Sequence, residues 1–143
     1  MKKLVTIVIV LICALSCSSV KEEKQIETIN WLTVSQVQEI MKTKPKKVLI
    51  DFHTDWCGYC KKMSKYTFKN PKVTKYVNDN FYAVKFDAES KESLTFLGKE
   101  FQNKKRTHEF ALNQASNNGR ISFPTIVYYD ESFNRIKVIP GYY

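Results

Sequence analysis

The sequence predicts an α/β domain in which a central mixed sheet is flanked by helices. Apolar segments of strand length alternate along the 143 residues with segments whose apolar residues recur at helical spacing. One of them, 47–53, is apolar on both faces, which is typical of a central strand covered by helices. The last two strand-like segments are joined by a short polar turn, which predicts an antiparallel hairpin at one edge of the sheet.

The amino-terminal residues are predicted to lie outside this domain. Two lysines precede an apolar run that ends at Leu15, and the run is shorter than the roughly 20 residues that a membrane-spanning helix requires. We interpret residues 1–16 as a secretory signal peptide. Residues 17–28 are mostly polar and are predicted to form a tether, so that residues 29–143 make up the folded domain.

The folded domain is predicted to begin with a short strand and a helix. Apolar residues favour a strand at 29–32. Thr33 or Ser35 can cap a helix that follows it and continues to about Lys42. Pro45 lies just beyond, where a proline prevents the helix from continuing.

A strand and two helices are predicted next. The strand at 47–53 leads directly into a helical pattern over 57–67, with apolar residues on one face and lysines on the other. Asn70 can cap a further helix to about residue 78, because Pro71 suits a first helical turn. The residues of this helix that we expect to face the core are Val73, Tyr76 and Val77.

The second half of the domain is predicted to contain three strands and two helices. In chain order these are a strand at 81–87, a helix at 90–101, a short helix at 108–115, and strands at 121–130 and 135–139. The helix at 90–101 is predicted because Leu94, Leu97 and Phe101 have the spacing of a buried helical face. Pro124 is compatible with a strand only near its beginning or at a sheet edge.

The charge of the chain does not indicate nucleic-acid binding. Its net charge is +9, but the lysines are scattered over helices and loops, and no nucleic-acid motif accompanies them. We therefore expect no nucleic-acid partner. A mild attraction to an anionic membrane surface is the expected consequence of this charge.

The four cysteines fall into two groups. Cys13 lies in the apolar signal segment, and Cys17 follows small residues in a pattern that resembles a bacterial lipoprotein signal, which implies lipidation of Cys17. An ordinary signal peptide, with Cys17 unmodified, is the alternative. Only Cys57 and Cys60 then remain as thiols, and so short a loop would constrain the unfolded chain little. The pair is therefore not predicted to be a structural disulfide.

Three kinds of chemistry are compatible with a close cysteine pair. A zinc site needs four ligands, and the chain offers only the distant His53 and His108 besides the pair. Covalent haem attachment needs a histidine directly after the second cysteine, where Lys61 stands. We therefore expect no metal and no cofactor, and redox chemistry is the favoured interpretation. Asp51 is a further anomaly, because a carboxylate inside a buried strand is costly unless it is paired or protonated.

The motif Trp56-Cys57-Gly58-Tyr59-Cys60-Lys61 resembles the active-site motif of the thioredoxin superfamily, and the element order from 29 to 139 resembles its fold. Asp51 falls where the family has its buried acid. Lys85 falls where a lysine commonly pairs with that acid, and Pro124 matches the cis-proline that faces the two sulfurs. The resemblance implies a thioredoxin fold with these residues around the active site.

Several positions depart from typical thioredoxins. Tyr59 occupies a position where proline is typical and is similar to the tyrosine of periplasmic disulfide isomerases. The carboxy-terminal helix of the family is absent after Tyr143, and we expect either a truncated chain or another cover for that sheet face. Four residues are similar to those of small exported thioredoxin-related lipoproteins of the Bacteroidetes type, namely His108, Gly119, Phe123 and Pro124.

Roles for the candidate catalytic residues follow from the helix start and from the resemblance. Cys57 is expected to be the exposed nucleophile, because unpaired N–H groups at a helix start favour a thiolate. Cys60, one turn further, is expected to resolve the mixed disulfide. The resemblance implies that Asp51 takes the proton of Cys60, with Lys85 nearby; the alternative is that Asp51 and Lys85 merely form a buried pair.

Candidate substrate-binding residues surround the cysteine pair. Trp56 and Tyr59 flank it and could form an apolar contact surface, although packing alone is an equally good explanation. The resemblance implies that a cis bond between Phe123 and Pro124 exposes backbone that pairs with a bound peptide as an extra strand.

The predicted function is that of an exported, lipid-anchored, monomeric thiol:disulfide oxidoreductase that reduces disulfides of exported proteins. Its partners would be protein thiols and disulfides, a membrane electron donor, and the membrane surface through the lipid on Cys17. The segment before the domain is too short for the dimerisation module of an isomerase, which favours a reductase. The alternatives are a disulfide isomerase or oxidase, and a redox-inactive binding module at the cell surface.

Overall fold

The computed structural model describes residues 28–143. The signal peptide, nearly all of the tether and the Cys17 site predicted above lie outside these residues. The elements are, in chain order, β1 (Trp31–Leu32), α1 (Val34–Met41), β2 (Lys47–His53), α2 (Gly58–Lys62), a π-helix (Met63–Thr67), α3 (Pro71–Asn80), β3 (Phe81–Asp87), β4 (Leu94–Phe96), β5 (Lys99–Phe101), α4 (Glu109–Ala115), β6 (Thr125–Tyr129) and β7 (Arg135–Pro140).

Five of the strands form one mixed sheet in the order β1-β3-β2-β6-β7. Strand β3 pairs in parallel with both β1 and β2, whereas β6 is antiparallel to β2 and to β7. Strand β2 therefore lies at the centre, with a neighbour on each side, as its apolar sequence predicts. The predicted mixed sheet with a final hairpin is confirmed.

Alternate residues of β2 point to the two faces of the sheet. Val48, Ile50 and Phe52 belong to one core cluster, which also contains residues of α1, α4 and the β4–β5 hairpin. Leu49 belongs to a second cluster together with residues of the π-helix and α3. Asp51 has the parity of Leu49, so it projects from the sheet toward the face that the π-helix and α3 cover.

Two helix starts confirm the capping predictions. Thr33 and Gln36 form a capping box at α1, in which each side chain accepts a hydrogen bond from the backbone N–H of the other residue. At α3, the Asn70 side chain accepts from the N–H of Lys72 at 3.0 Å, with Pro71 in the first turn. These local signals determine where the helices begin.

The helix predicted over 90–101 is wrong, because this segment forms the β4–β5 hairpin. Leu97 and Gly98 both have positive φ, of 50° and 77°, and make the turn. Leu97 is exposed rather than buried, while Phe96 and Phe101 are buried on the core side. The Gln38 side chain, on α1, accepts from the N–H of Leu97 and donates to the carbonyl of Thr95. The hairpin is therefore stabilised by packing and contacts with distant residues.

Tyr76 was expected to face the core but is exposed. Thr74 is buried on α3 instead, and its hydroxyl donates to the carbonyl of Phe68 at 3.0 Å. That hydrogen bond removes the cost of burying a hydroxyl. Because most residues of α3 are polar, its sequence does not show which face packs against the core.

The strand predicted over 121–130 is shorter, because β6 begins only at Thr125, directly after the cis peptide bond between Phe123 and Pro124. No helix follows β7 within residues 28–143. In the same part of the chain, no helix is long and apolar enough to cross a membrane.

Candidate active site

A disulfide joins Cys57 and Cys60 where the chain passes from β2 into α2. Cys57 has extended backbone angles and occupies the N-cap position of α2. Its Sγ accepts a hydrogen bond from the N–H of Cys60 at 3.1 Å, and the two Cα atoms are 5.3 Å apart. The sulfur thus satisfies one of the backbone N–H groups that a helix start leaves without a partner.

Both cysteines are recessed. Cys57 is 4% exposed and Cys60 is 5% exposed, so the expectation that Cys57 is an exposed nucleophile is wrong for this disulfide form. The neighbouring Trp56 and Tyr59 are both exposed and flank the pair. The recessed pair therefore lies between two large, exposed aromatic side chains.

The two aromatic side chains next to the disulfide each pack against another aromatic ring. The Trp56 ring packs edge-on against Phe123, with 6.1 Å between centroids, and its Nε1 donates to Glu89 at 3.0 Å. Tyr59 packs against Tyr142, with 6.2 Å between centroids. Tyr142 is not among the predicted site residues, because no local sequence pattern places it beside Tyr59.

The backbone around Pro124 is partly engaged. The carbonyl of Pro124 accepts from the N–H of Gly141 at 2.7 Å, which extends the β6–β7 pairing past the last ladder residues. Phe123 is half-buried, and within residues 28–143 neither its N–H nor its carbonyl has a hydrogen-bond partner. In the described residues, the backbone of Phe123 thus has one donor and one acceptor that are not used within the sheet.

Asp51 is 2% exposed, and burial raises the pKa of its carboxyl group to about 6, against an opposing effect of the Lys85 charge. Its Oδ1 has no hydrogen-bond partner in the described chain. Asp51 and Lys85 are opposite each other in the β2–β3 register. Such a carboxyl group can exchange a proton near neutral pH, which suits general acid–base work.

The expected contact between Asp51 and Lys85 is not formed. No ion pair of 4 Å or less joins them among residues 28–143. The Lys85 ammonium instead donates to the Ser64 hydroxyl at 3.0 Å and lies 5.9 Å from the centre of the Trp31 ring. The Lys85 side chain is exposed at the protein surface. Its positive charge lowers the pKa of Asp51 through space, without a direct contact.

The two histidines have separate environments. His53 is half-buried, and burial together with the charge of Lys85 lowers its pKa. His108 is fully buried and caps α4, since its Nδ1 accepts from the N–H of Phe110 at 3.1 Å. In the described part of the chain, no three His, Cys, Asp or Glu side chains are grouped to hold a metal ion.

Comparisons with known sequences identify the same domain. A sequence-family profile described as a thioredoxin-like domain matches residues 34–143. The thiol:disulfide interchange protein DsbD of Escherichia coli strain K12 is 40% identical over 55 residues, covering 38% of this chain and 9% of that protein. The chain thus spans about a tenth of the length of the curated relatives it matches.

Solved structures share the architecture. A Bacteroides thetaiotaomicron protein described as a candidate disulphide-isomerase aligns with a TM-score of 0.59 and 24% identity, over 83% of this chain and 85% of that one. A thioredoxin-fold protein from Helicobacter pylori aligns with a TM-score of 0.52 and 27% identity, over 69% of this chain and 62% of that one. These likenesses support the fold.

Proposed function

The chain belongs to the family of thioredoxin-like domain proteins, and on that premise we propose that it is a thiol:disulfide oxidoreductase that reduces disulfides of exported proteins. The observation that carries the proposal is the Cys57–Cys60 disulfide at the start of α2. A disulfide that closes so short a loop contributes little to stability, so its expected use is in a redox cycle.

Cys57 is the proposed nucleophile of the reduced protein. Negative charge at a helix start is favoured by about 0.3–1 kcal/mol, and by up to about 2 kcal/mol in partly buried sites. The helix start and the N–H of Cys60, which donates to Cys57 Sγ, therefore both favour negative charge on this sulfur in the reduced protein.

The proposed cycle transfers two electrons to the substrate. The Cys57 thiolate attacks one sulfur of the substrate disulfide, forms a mixed disulfide, and displaces the other substrate sulfur as a thiolate. Cys60 then loses its proton and attacks Cys57 Sγ, which releases the second substrate sulfur as a thiolate. The substrate now has two reduced sulfurs and the protein has the Cys57–Cys60 disulfide. An external thiol donor must supply two electrons to repeat the cycle.

Asp51 is the proposed acceptor of the Cys60 proton. It projects from β2 toward the side covered by the π-helix that continues α2, and its pKa of about 6 allows it to be ionised at neutral pH. The Lys85 charge opposes the effect of burial, so Lys85 has a positioning role through electrostatics. Removal of this charge is expected to raise the Asp51 pKa further.

Substrate binding is assigned to the aromatic rim and the Phe123 backbone. Trp56, Tyr59 and Phe123 present apolar surface next to the disulfide, and Tyr142 extends it. The unpaired N–H and carbonyl of Phe123, next to Pro124, can form ladder hydrogen bonds with an extended peptide. This arrangement favours an unfolded or loop segment around the substrate disulfide.

The proposed setting is the cell envelope. Export through a signal peptide over 1–16 and a lipid on Cys17 would hold a monomeric domain near a membrane electron donor. The local likeness to proteins named thiol:disulfide interchange protein supports protein thiols as partners. The rival functions are those of an isomerase or oxidase and of an inert binding module.

Insulin reduction with dithiothreitol as the electron source tests the activity. We expect turnover by the wild type and none by Cys57→Ser, whereas Cys60→Ser should accumulate a mixed disulfide. An inert wild type, with Cys57 no more reactive than a model thiol, would refute the proposal in favour of a binding module. Equilibration with glutathione then decides the direction, because a potential at the oxidising end of the known range would contradict a reductase.

A further inference from the structure

A cavity of about 320 Å³ lies beside Cys60 and is lined largely by basic residues. Lys61, Lys65 and Lys69 come from α2 and the chain that follows it, and Lys85 comes from β3. Asp55 is the one carboxylate of the lining, which leaves a formal excess of three positive charges. We refer to this space as the lysine cavity.

The lysines of the cavity are not neutralised by the protein. Lys61 lies in α2, Lys65 in the π-helix and Lys69 in the turn that follows, so three positive charges lie close together along the chain. Within residues 28–143, none of the four cavity lysines forms an ion pair of 4 Å or less. The folded protein therefore maintains an electrostatic repulsion here that an anion would relieve.

The cavity also contains polar groups suited to an oxyanion. Thr54 lines it and is 1% exposed, and its Oγ1 has no hydrogen-bond partner in the described chain. Ser64 presents a hydroxyl that already accepts from the Lys85 ammonium, which places that charge at the cavity wall. Because Thr54 Oγ1 is itself buried, the donors of this wall that a ligand can reach are the Ser64 hydroxyl and the Lys85 ammonium.

We propose that the lysine cavity binds a small phosphate-bearing anion. Lysine ammonium groups bind phosphate as point charges without the planar geometry that arginine requires. The charges come from α2, the π-helix, the turn after it and β3, and a tetrahedral anion presents oxygens in several directions at once. The volume lies at the lower end of the range of small-molecule pockets, about 300–1,000 Å³. The proposal does not depend on the redox cycle, because it concerns binding to the disulfide form.

Titration of the full chain in a nonionic detergent tests the proposal. The oxidised, ¹⁵N-labelled protein is titrated with inorganic phosphate at constant ionic strength, and amide chemical shifts are followed. We expect saturable shifts at Ser64 and its neighbours. Lys65→Gln and Lys69→Gln should each weaken binding about fivefold, the effect of one charge at about 4 Å in a water-like dielectric. Lys72→Gln, an equal change of charge outside the cavity, should leave the affinity unchanged.

Titrations with other ligands show whether the bound phosphate group is free phosphate or part of an ester. Tighter binding of glycerol 3-phosphate than of inorganic phosphate supports a lipid headgroup or another ester as the source, and the reverse supports free phosphate. Linear shifts that never saturate overturn the proposal, as does an equal loss in Lys72→Gln. Malonate binding as tightly as phosphate also overturns it. None of these measurements requires turnover, so they are independent of the insulin test.

Discussion

Replacement of Asp51 by asparagine is predicted to stabilise the fold at neutral pH. The pKa of Asp51 is about 6 in the folded protein, against 3.8 for the unperturbed group. The folded state therefore disfavours the charged form, and the shift of about two units corresponds to about 3 kcal/mol. Well below pH 3.8 the carboxyl group is protonated in both states and the cost is absent. The cost grows as the pH rises through 3.8 and is complete above about pH 6.

The assay is urea unfolding of the oxidised protein across this pH range, followed by tryptophan fluorescence. The free energy of unfolding of Asp51→Asn minus that of the wild type should rise by about 2.5 kcal/mol between pH 4 and pH 8. Any effect of the asparagine amide on stability that does not depend on pH is the same at both ends of the range, so it does not change this rise. Asp55→Asn, an exposed carboxylate in the following turn, is the matched control and should show no comparable rise.

A difference that stays flat with pH would show that burial does not raise the pKa of Asp51. A difference that falls with rising pH would mean that the folded protein stabilises the carboxylate instead. In either case the proton-transfer role of Asp51 would lose its physical basis, because a general base that works near neutral pH requires the raised pKa.

Three further predictions concern the other parts of the structure. His108→Ala should lower the free energy of unfolding in urea by about 2–4 kcal/mol, because it removes the α4 cap and leaves a buried void. His108→Asn should recover part of this loss, and a loss near zero would contradict the capping role. Gly98→Ala should lower the free energy of unfolding by about 1 kcal/mol, because φ is +77° at this residue. No atom lies within 4 Å of the added Cβ, so the cost comes from the backbone conformation alone, and an unchanged stability would argue against that turn. Tyr142→Ala should raise KM for a disulfide peptide about 2- to 10-fold with kcat unchanged, whereas Tyr143→Ala should have no effect, and equal effects of the two would exclude Tyr142 from substrate binding.

The elements that the sequence predicts correctly are those whose signals come from residues close together along the chain. The strand at 47–53 and the helix starts at Thr33 and Asn70 were predicted because periodicity and capping depend on residues a few positions apart. The β4–β5 segment was predicted as a helix because three apolar residues happen to have helical spacing. Contacts from Gln38, more than 50 residues away, help to hold it as a hairpin instead.

The features of the candidate site also fall into those that the sequence shows and those that only the tertiary structure shows. Its cysteine spacing, its place after a central strand and the family resemblance were available from the sequence, which therefore determined the class of chemistry. Tertiary structure decided that Cys57 is recessed, that Lys85 contacts Ser64 rather than Asp51, and that Tyr142 lies beside Tyr59. It also brought the lysines of α2, the π-helix, the turn after it and β3 around one cavity. The physical reason is that burial, pKa and charge clustering depend on which distant segments pack together, and local sequence patterns carry no information about that packing.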